Sequence, residues 1–391
     1  MTNIRSNLRK IYVYKFLSDF LLIVPIIIPF YKSNHLNTTQ IFIVQSAYAA
    51  AVLILEIPSG YFSDVMGRKK TLVLGALFLP VGFGIYAIST HFMEFILAEI
   101  LLAISTSMRS GTDSAFIYDT LLQLKEESLY RKFEGKALFF TRAGSSISSV
   151  SGGLLALIAL RFPFYLNIIP GVIMVFISFY LVEPEREKRS AENPFIDILK
   201  IAKSGLTNGQ IRSLMLFSSL IFSTGVIGVW SYFLYYEVLG INVGFYGFLF
   251  AIFGLWSGLG AKNSHALAEK IGKRHSVFVL LIVSFTFAAL GLLKSLFLIP
   301  IIFLIGFIWG FSGPLLLEHL NKIIASDVRA TVLSVNNMAG SLSYIILSPV
   351  FGRLVDVYSL SSAYLVMAVY FFVIGSLSVF LLIKNKVIRY S

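Results

Sequence analysis

Apolar runs alternate with short polar breaks along this chain, and most runs approach the roughly 20 residues that carry a helix across a bilayer. Read between the breaks, they predict twelve membrane-spanning helices over about 11–31, 40–62, 71–89, 92–115, 135–160, 163–182, 211–236, 242–261, 276–293, 297–319, 329–350 and 361–384. Prolines within the runs (Pro25, Pro29, Pro80, Pro170, Pro314 and Pro349) do not veto a helix, because membrane helices tolerate them. The longest polar stretch, 183–210, separates the sixth run from the seventh, and its amphipathic piece from Pro194 to Lys203 suits a membrane surface. The expected architecture is an all-α polytopic membrane protein: an N-terminal six-helix bundle (1–182), a linker (183–210) and a C-terminal six-helix bundle (211–391).

Composition agrees. Hydrophobic residues make up 57% of the chain and charged residues 13%, with a mean hydropathy of +0.82, so the side chains need lipid as their solvent. Cysteine is absent, which excludes disulfides and thiolate-held metals, and the five histidines are scattered. Neither a phosphate-binding loop nor a nucleophilic triad is present. An enzyme and an ATP-driven pump are therefore not expected, no cofactor is required, and energy must come from an ion gradient. With the N-terminus inside, 26 of the 32 lysines and arginines fall in inner segments, against four (Lys32, Arg161, Lys294 and Arg353) in outer loops. That asymmetry predicts a membrane protein with both termini on the cytoplasmic side, and assigns the net charge of +12 to anionic lipid rather than nucleic acid. Arg5, Arg9, Lys10 and Lys15 lead into a first run too long for a signal-peptide core, so it is expected to stay as a helix.

One polar break carries a pattern, Gly60-Tyr-Phe-Ser-Asp64-Val-Met-Gly67-Arg68-Lys69-Lys70, and a degenerate copy stands 205 positions later at His265-Ala-Leu-Ala-Glu269-Lys-Ile-Gly272-Lys273-Arg274. An acid, a turn glycine and a basic cluster recur at the same place in both halves. This resembles the loop motif between the second and third helices of the major facilitator superfamily, with its remnant between the eighth and ninth. The resemblance implies a secondary transporter, with two pseudo-symmetric six-helix bundles rocking around a central cavity. It also implies an inner latch in which Arg68 pairs with an acid of the fourth helix, Asp113 or Asp119, and Asp64 faces the eleventh helix. Glu269, Gly272, Lys273 and Glu318 would form a weaker mirror image. The superfamily's fourth-helix arginine has a glycine four residues on; here Arg109 has Gly111 two residues on.

Ionisable groups inside the runs are the remaining candidates, since each costs roughly 2.5–3.5 kcal/mol at mid-bilayer on insertion scales. Arg109 and Asp113 are four apart and are expected to share a helix face and pair. Asp19, on a run loosened by Pro25 and Pro29, is the leading proton carrier, because a carboxylate in a low-dielectric cavity can load and release a proton near neutral pH. Glu99 either faces the cavity or pairs with Arg142. After Arg142, the stretch Gly144-Ser-Ser-Ile-Ser148-Ser149-Val-Ser-Gly152-Gly153 forms a small-residue ridge for close helix contact. It resembles the fifth-helix motif of proton-driven drug exporters, with Ser148-Ser149 in place of a Gly-Pro pair. Trp230, Tyr232, Tyr235 and Tyr236 are expected in an interfacial aromatic belt, a gate or cargo wall being the other reading.

The expected function is proton-coupled transport of a small organic molecule by a monomer, with export preferred. The other reading is uptake, by proton symport, of a nutrient, anionic metabolite or metal chelate, which Arg109 and Arg142 would suit.

Overall fold

The computed structural model describes residues 2–185, 208–324 and 329–387, and nearly all of them are helical, with no strand among the described residues. The amphipathic piece expected at Pro194 to Lys203 lies outside them. In order, the first half holds α1 (Asn7–Ser18), α2 (Ile27–Ser33), α3 (Thr38–Met66), α4 (Arg68–Ile88), α5 (Phe92–Arg109), α6 (Thr112–Gln123), α7 (Tyr130–Leu155) and α8 (Phe162–Phe179). The second half holds α9 (Gly209–Val238), α10 (Tyr246–Lys262), α11 (Ser264–Ile271), α12 (His275–Leu292), α13 (Ile299–Ile323), α14 (Arg329–Val357) and α15 (Leu360–Lys384).

Among the described residues nine helices are long and apolar enough to cross a membrane. The other expected spans are those with polar or irregular sequence. Run 11–31 splits into α1 and α2 around a 3₁₀ turn at Val24–Ile26, where Pro25 cannot donate a helical hydrogen bond. Run 92–115 stops at Arg109 and restarts at Thr112, with Gly111 at φ +72°. The fifth run, α7, is diluted by its serines and glycines.

The chain divides into two compact units. The first is Met1–Leu36, Ala47–Pro194 and Asn242–Phe248; the second is Asn37–Ser46, Phe195–Ile241 and Leu249–Ser391.

In the first unit α7 lies flush against α1 and the segment after it. A Cβ on Gly144 or Gly152 would overlap the main chain of Phe16 or Leu22, so the glycine ridge packs where its composition predicts. The unwound residues after α1 are held by Asn167 of α8. Its Oδ1 accepts from Leu22 N at 2.6 Å, and its Nδ2 donates to the Phe20 carbonyl at 3.2 Å. Backbone groups freed by a helix break inside a bilayer must find such partners. Next along the chain comes a buried aromatic cluster of Phe30, Tyr31, Tyr86, Phe95 and Phe164.

In the second unit Tyr232, Tyr235 and Tyr236 are each at most 3% exposed, which overturns their expected place in an interfacial belt. Tyr235 Oη donates to the Leu293 carbonyl at 2.9 Å, so burying the ring satisfies its polar tip. The start of α3 packs on the end of α14. Phe42 meets Phe351 edge-on at 5.1 Å, and the Asp356 carboxylate accepts from the backbone N–H groups of Thr38 (2.9 Å) and Thr39 (2.7 Å). A carboxylate there satisfies orphan donors and opposes the positive end of the helix dipole.

Candidate functional site

The polar motif forms the corner between α3 and α4. Gly67 makes the turn in one residue, at φ +115° and ψ 150°, which an L side chain rarely adopts. Arg68 begins α4 and gathers three partners: its Nη1 donates to Asp64 Oδ1 at 2.7 Å and Ser63 Oγ at 2.9 Å, and its Nε donates to Asp119 Oδ2 of α6 at 3.2 Å. The fourth-helix partner of Arg68 is thus Asp119 rather than Asp113. Glu183 completes the corner: its two carboxylate oxygens accept from the backbone N–H of Arg68 at 2.8 Å and of Lys69 at 2.7 Å. Gly60, one helical turn before Asp64, has open space around it.

Of the mirror set, the two acids have partners within their own helices. Glu318 pairs with Lys322 of its own helix at 2.5 Å, and Glu269 with His265 at 3.5 Å. The side chain of Lys273 lies outside what the structure describes. Here the chain leaves α10 at Lys262, forms the short α11, and takes Gly272–Arg274 as a 3₁₀ turn. Local i,i+4 partners then cost less chain entropy than distant ones.

A second polar group forms where the two broken runs of the first unit meet. Arg109, the last residue of α5, donates from Nη1 to the carbonyl of Ser18, the last residue of α1, at 3.5 Å. Its other contacts are Ser105 O at 3.2 Å and Thr106 Oγ1 at 3.3 Å. The cation faces the carbonyl end of α1, where the helix dipole favours positive charge. Asp19 follows directly and accepts from Ser18 Oγ at 2.9 Å. Tyr48 of α3 donates to Thr106 Oγ1 at 3.0 Å.

The expected Arg109–Asp113 ion pair does not form. Gly111 interrupts the helix between them, so four residues of separation no longer mean one shared face. Asp113 instead pairs with Lys15 at 3.0 Å, and Glu134 of α7 meets the same ammonium at 3.3 Å. Glu99 does not pair with Arg142. It is 5% exposed, accepts from Tyr86 Oη at 2.6 Å and from Tyr31 Oη at 3.2 Å, and belongs to the aromatic cluster. Arg142 is exposed and forms no ion pair among the described residues.

Lys15, Glu134, Glu183, Asn167 and Asp356 are the polar contributors that sequence reasoning missed. For Glu183 the available signal was its place at the end of the sixth run. Among the described residues no three histidine or acidic side chains are arranged to hold a metal ion.

Comparison with known proteins identifies the class to which this bundle of apolar helices belongs. Residues 12–347 match the family model described as Major Facilitator Superfamily, and the chain belongs to that family. The "Uncharacterized MFS-type transporter YxaM" of Bacillus subtilis (strain 168) is 24% identical over 364 residues, covering 88% of each chain. "Multidrug resistance protein 2" of the same organism is 29% identical over 160 residues, 40% of this chain and 39% of that protein. Among solved structures, the nucleoside transporter NupG superposes with a TM-score of 0.80 at 14% identity over 100% of both chains. A bacterial homologue of the human lysosomal transporter Spinster gives 0.76 at 16% identity, over 100% of this chain and 98% of that one. At these identities the structural likeness is one of fold.

Proposed function

We propose that this protein couples the movement of a small organic molecule to a proton gradient by alternating access, with export preferred over uptake. The observation that carries the reading is the junction of the two broken runs, which sets a carboxylate, Asp19, next to the carbonyl that Arg109 holds. Transporters place substrate and coupling-ion sites at discontinuous helices of this kind. Asp19 is the proton carrier in this reading, with Arg109 and Asp113 tuning it. The preference for export draws on the partial match to a relative named for multidrug resistance and on the packed fifth-helix ridge.

Gly60, Asp64, Gly67, Arg68 and Asp119 serve as the latch on the cytoplasmic side. The bundles 1–182 and 211–391 rock about the linker, both termini lie in the cytoplasm of a bacterial cell, and the monomer is the working unit. A second reading, symport uptake of an anionic molecule, has its own support in Arg109, a cation inside a membrane run whose bonded partners are all neutral.

The test is substrate-induced proton movement in reconstituted vesicles with a pH dye trapped inside. Cargo entry that drives protons out supports antiport, and cargo that carries protons in supports symport. In either case Asp19→Asn is expected to abolish the pH dependence of flux. An unchanged pH dependence in that variant removes Asp19 from the mechanism.

A further inference from the structure

Two neighbouring cations of the first unit have charged partners. Lys15 has Asp113 and Glu134, and Arg68 has Asp64 and Asp119. Arg109 differs. It is half-buried at the end of a membrane-spanning run, yet no carboxylate lies within ion-pair distance among the described residues. Its three bonds, at 3.2, 3.3 and 3.5 Å, go to two carbonyls and a hydroxyl. Charge-assisted bonds from a guanidinium to an anion are shorter, near 2.7–2.9 Å, and commonly bidentate. A guanidinium has five N–H donors, so two of them have no partner among the described residues.

The neighbouring hydroxyl is arranged to help. Thr106 Oγ1 accepts from both Tyr48 Oη (3.0 Å) and Arg109 Nη2 (3.3 Å), and its own proton goes to no described acceptor. Asp19, whose Oδ2 accepts from the Ser18 hydroxyl at 2.9 Å, makes no ion pair with the guanidinium among the described residues. The side chain is also fixed from behind: Gly75 lets α4 approach so closely that a Cβ there would stand 3.1 Å from Arg109 Cγ. A preorganised, under-coordinated guanidinium with an adjacent hydroxyl donor is an anion receptor.

We propose that Arg109 and Thr106 recognise the anionic group, carboxylate or phosphate, of an organic cargo, and that Tyr48 fixes the Thr106 hydroxyl for that purpose. This rests on the transporter reading above and deepens it by naming the cargo class.

The experiment measures binding without a proton gradient, so its outcome is independent of coupling. Full-length protein in detergent is melted with benzoate, phenyl phosphate, benzamide or benzylammonium. The two anions are expected to raise the melting temperature in a saturable way, and the neutral and cationic analogues to leave it unmoved. Arg109→Gln is expected to weaken anion binding at least about tenfold, since a hydrogen bond to a charged group contributes roughly 1.5–3 kcal/mol. Arg109→Lys keeps charge without the planar fork and should fall between. Thr106→Val leaves the arginine in place and should weaken binding by a smaller factor, which keeps the proposal testable if Arg109→Gln fails to fold. Equal stabilisation by benzoate and benzamide overturns it, as does undiminished anion binding in Arg109→Gln or Thr106→Val, or no anion-selective shift with either anion. Anion binding without proton movement in vesicles would leave the receptor standing and remove the proton coupling.

Discussion

Replacing Gly67 by alanine tests the latch corner with a magnitude that can be worked out beforehand. At φ +115° and ψ 150° the residue occupies a region held almost only by glycine, and an alanine there costs about 1–3 kcal/mol. The new Cβ would also stand 2.9 Å from Glu183 Oε1 and 3.1 Å from its Cδ. That carboxylate must then retreat from the Arg68 and Lys69 N–H groups, and losing a helix cap costs about 1 kcal/mol. The sum is about 2–4 kcal/mol. At ~2–4 °C per kcal/mol for a body of this size, the melting temperature in detergent followed by circular dichroism should fall by roughly 5–15 °C. Gly60 is the internal control: it belongs to the same motif, lies inside α3 and has nothing within 4 Å of where a Cβ would stand. Alanine there should be neutral or stabilising by about 0.5–1 kcal/mol. A double variant carrying Glu183→Ala as well separates the two causes, because the clash disappears while the backbone strain remains. The cycle should show a coupling of about 1 kcal/mol. If Gly67→Ala melts alongside Gly60→Ala, the reasoning is wrong.

The polar groups give further expectations. Asp64→Asn should abolish transport while leaving membrane insertion intact; full flux in vesicles would remove it from the latch. Asp119→Asn removes a well-shielded partner of Arg68, and its melting temperature should drop further than that of Asp64→Asn, since Asp64 is 45% exposed and Asp119 16%. Asn167→Ala strips partners from the Leu22 N–H and the Phe20 carbonyl, each worth about 1–3 kcal/mol when left buried without a partner. A thermal shift under about 1 °C would show that the break in the first run does not depend on that amide.

The apolar runs were legible because period and length report directly on burial in lipid. The glycine ridge was legible for the same reason, since small side chains in a membrane helix have few uses beyond close packing. Arg109 and Asp113 were misread because spacing of four implies contact only within a continuous helix, and one glycine at positive φ ends that condition. Lys15 read as one of several basic residues at the N-terminal end. Its role depends on Asp113 and Glu134, nearly a hundred or more positions away, converging on it, which no local pattern encodes.

Glu183 also has a consequence for the order in which this protein is made. The donors it caps, on Arg68 and Lys69, lie 115 and 114 positions earlier in the chain. During synthesis water must therefore serve the first N–H groups of α4 until every span through α8 has emerged. The carboxylate that arrives last fastens the corner made near the beginning, so the first unit has a completion point at residue 183. Any truncation before that residue leaves it unfastened, however well its individual helices insert.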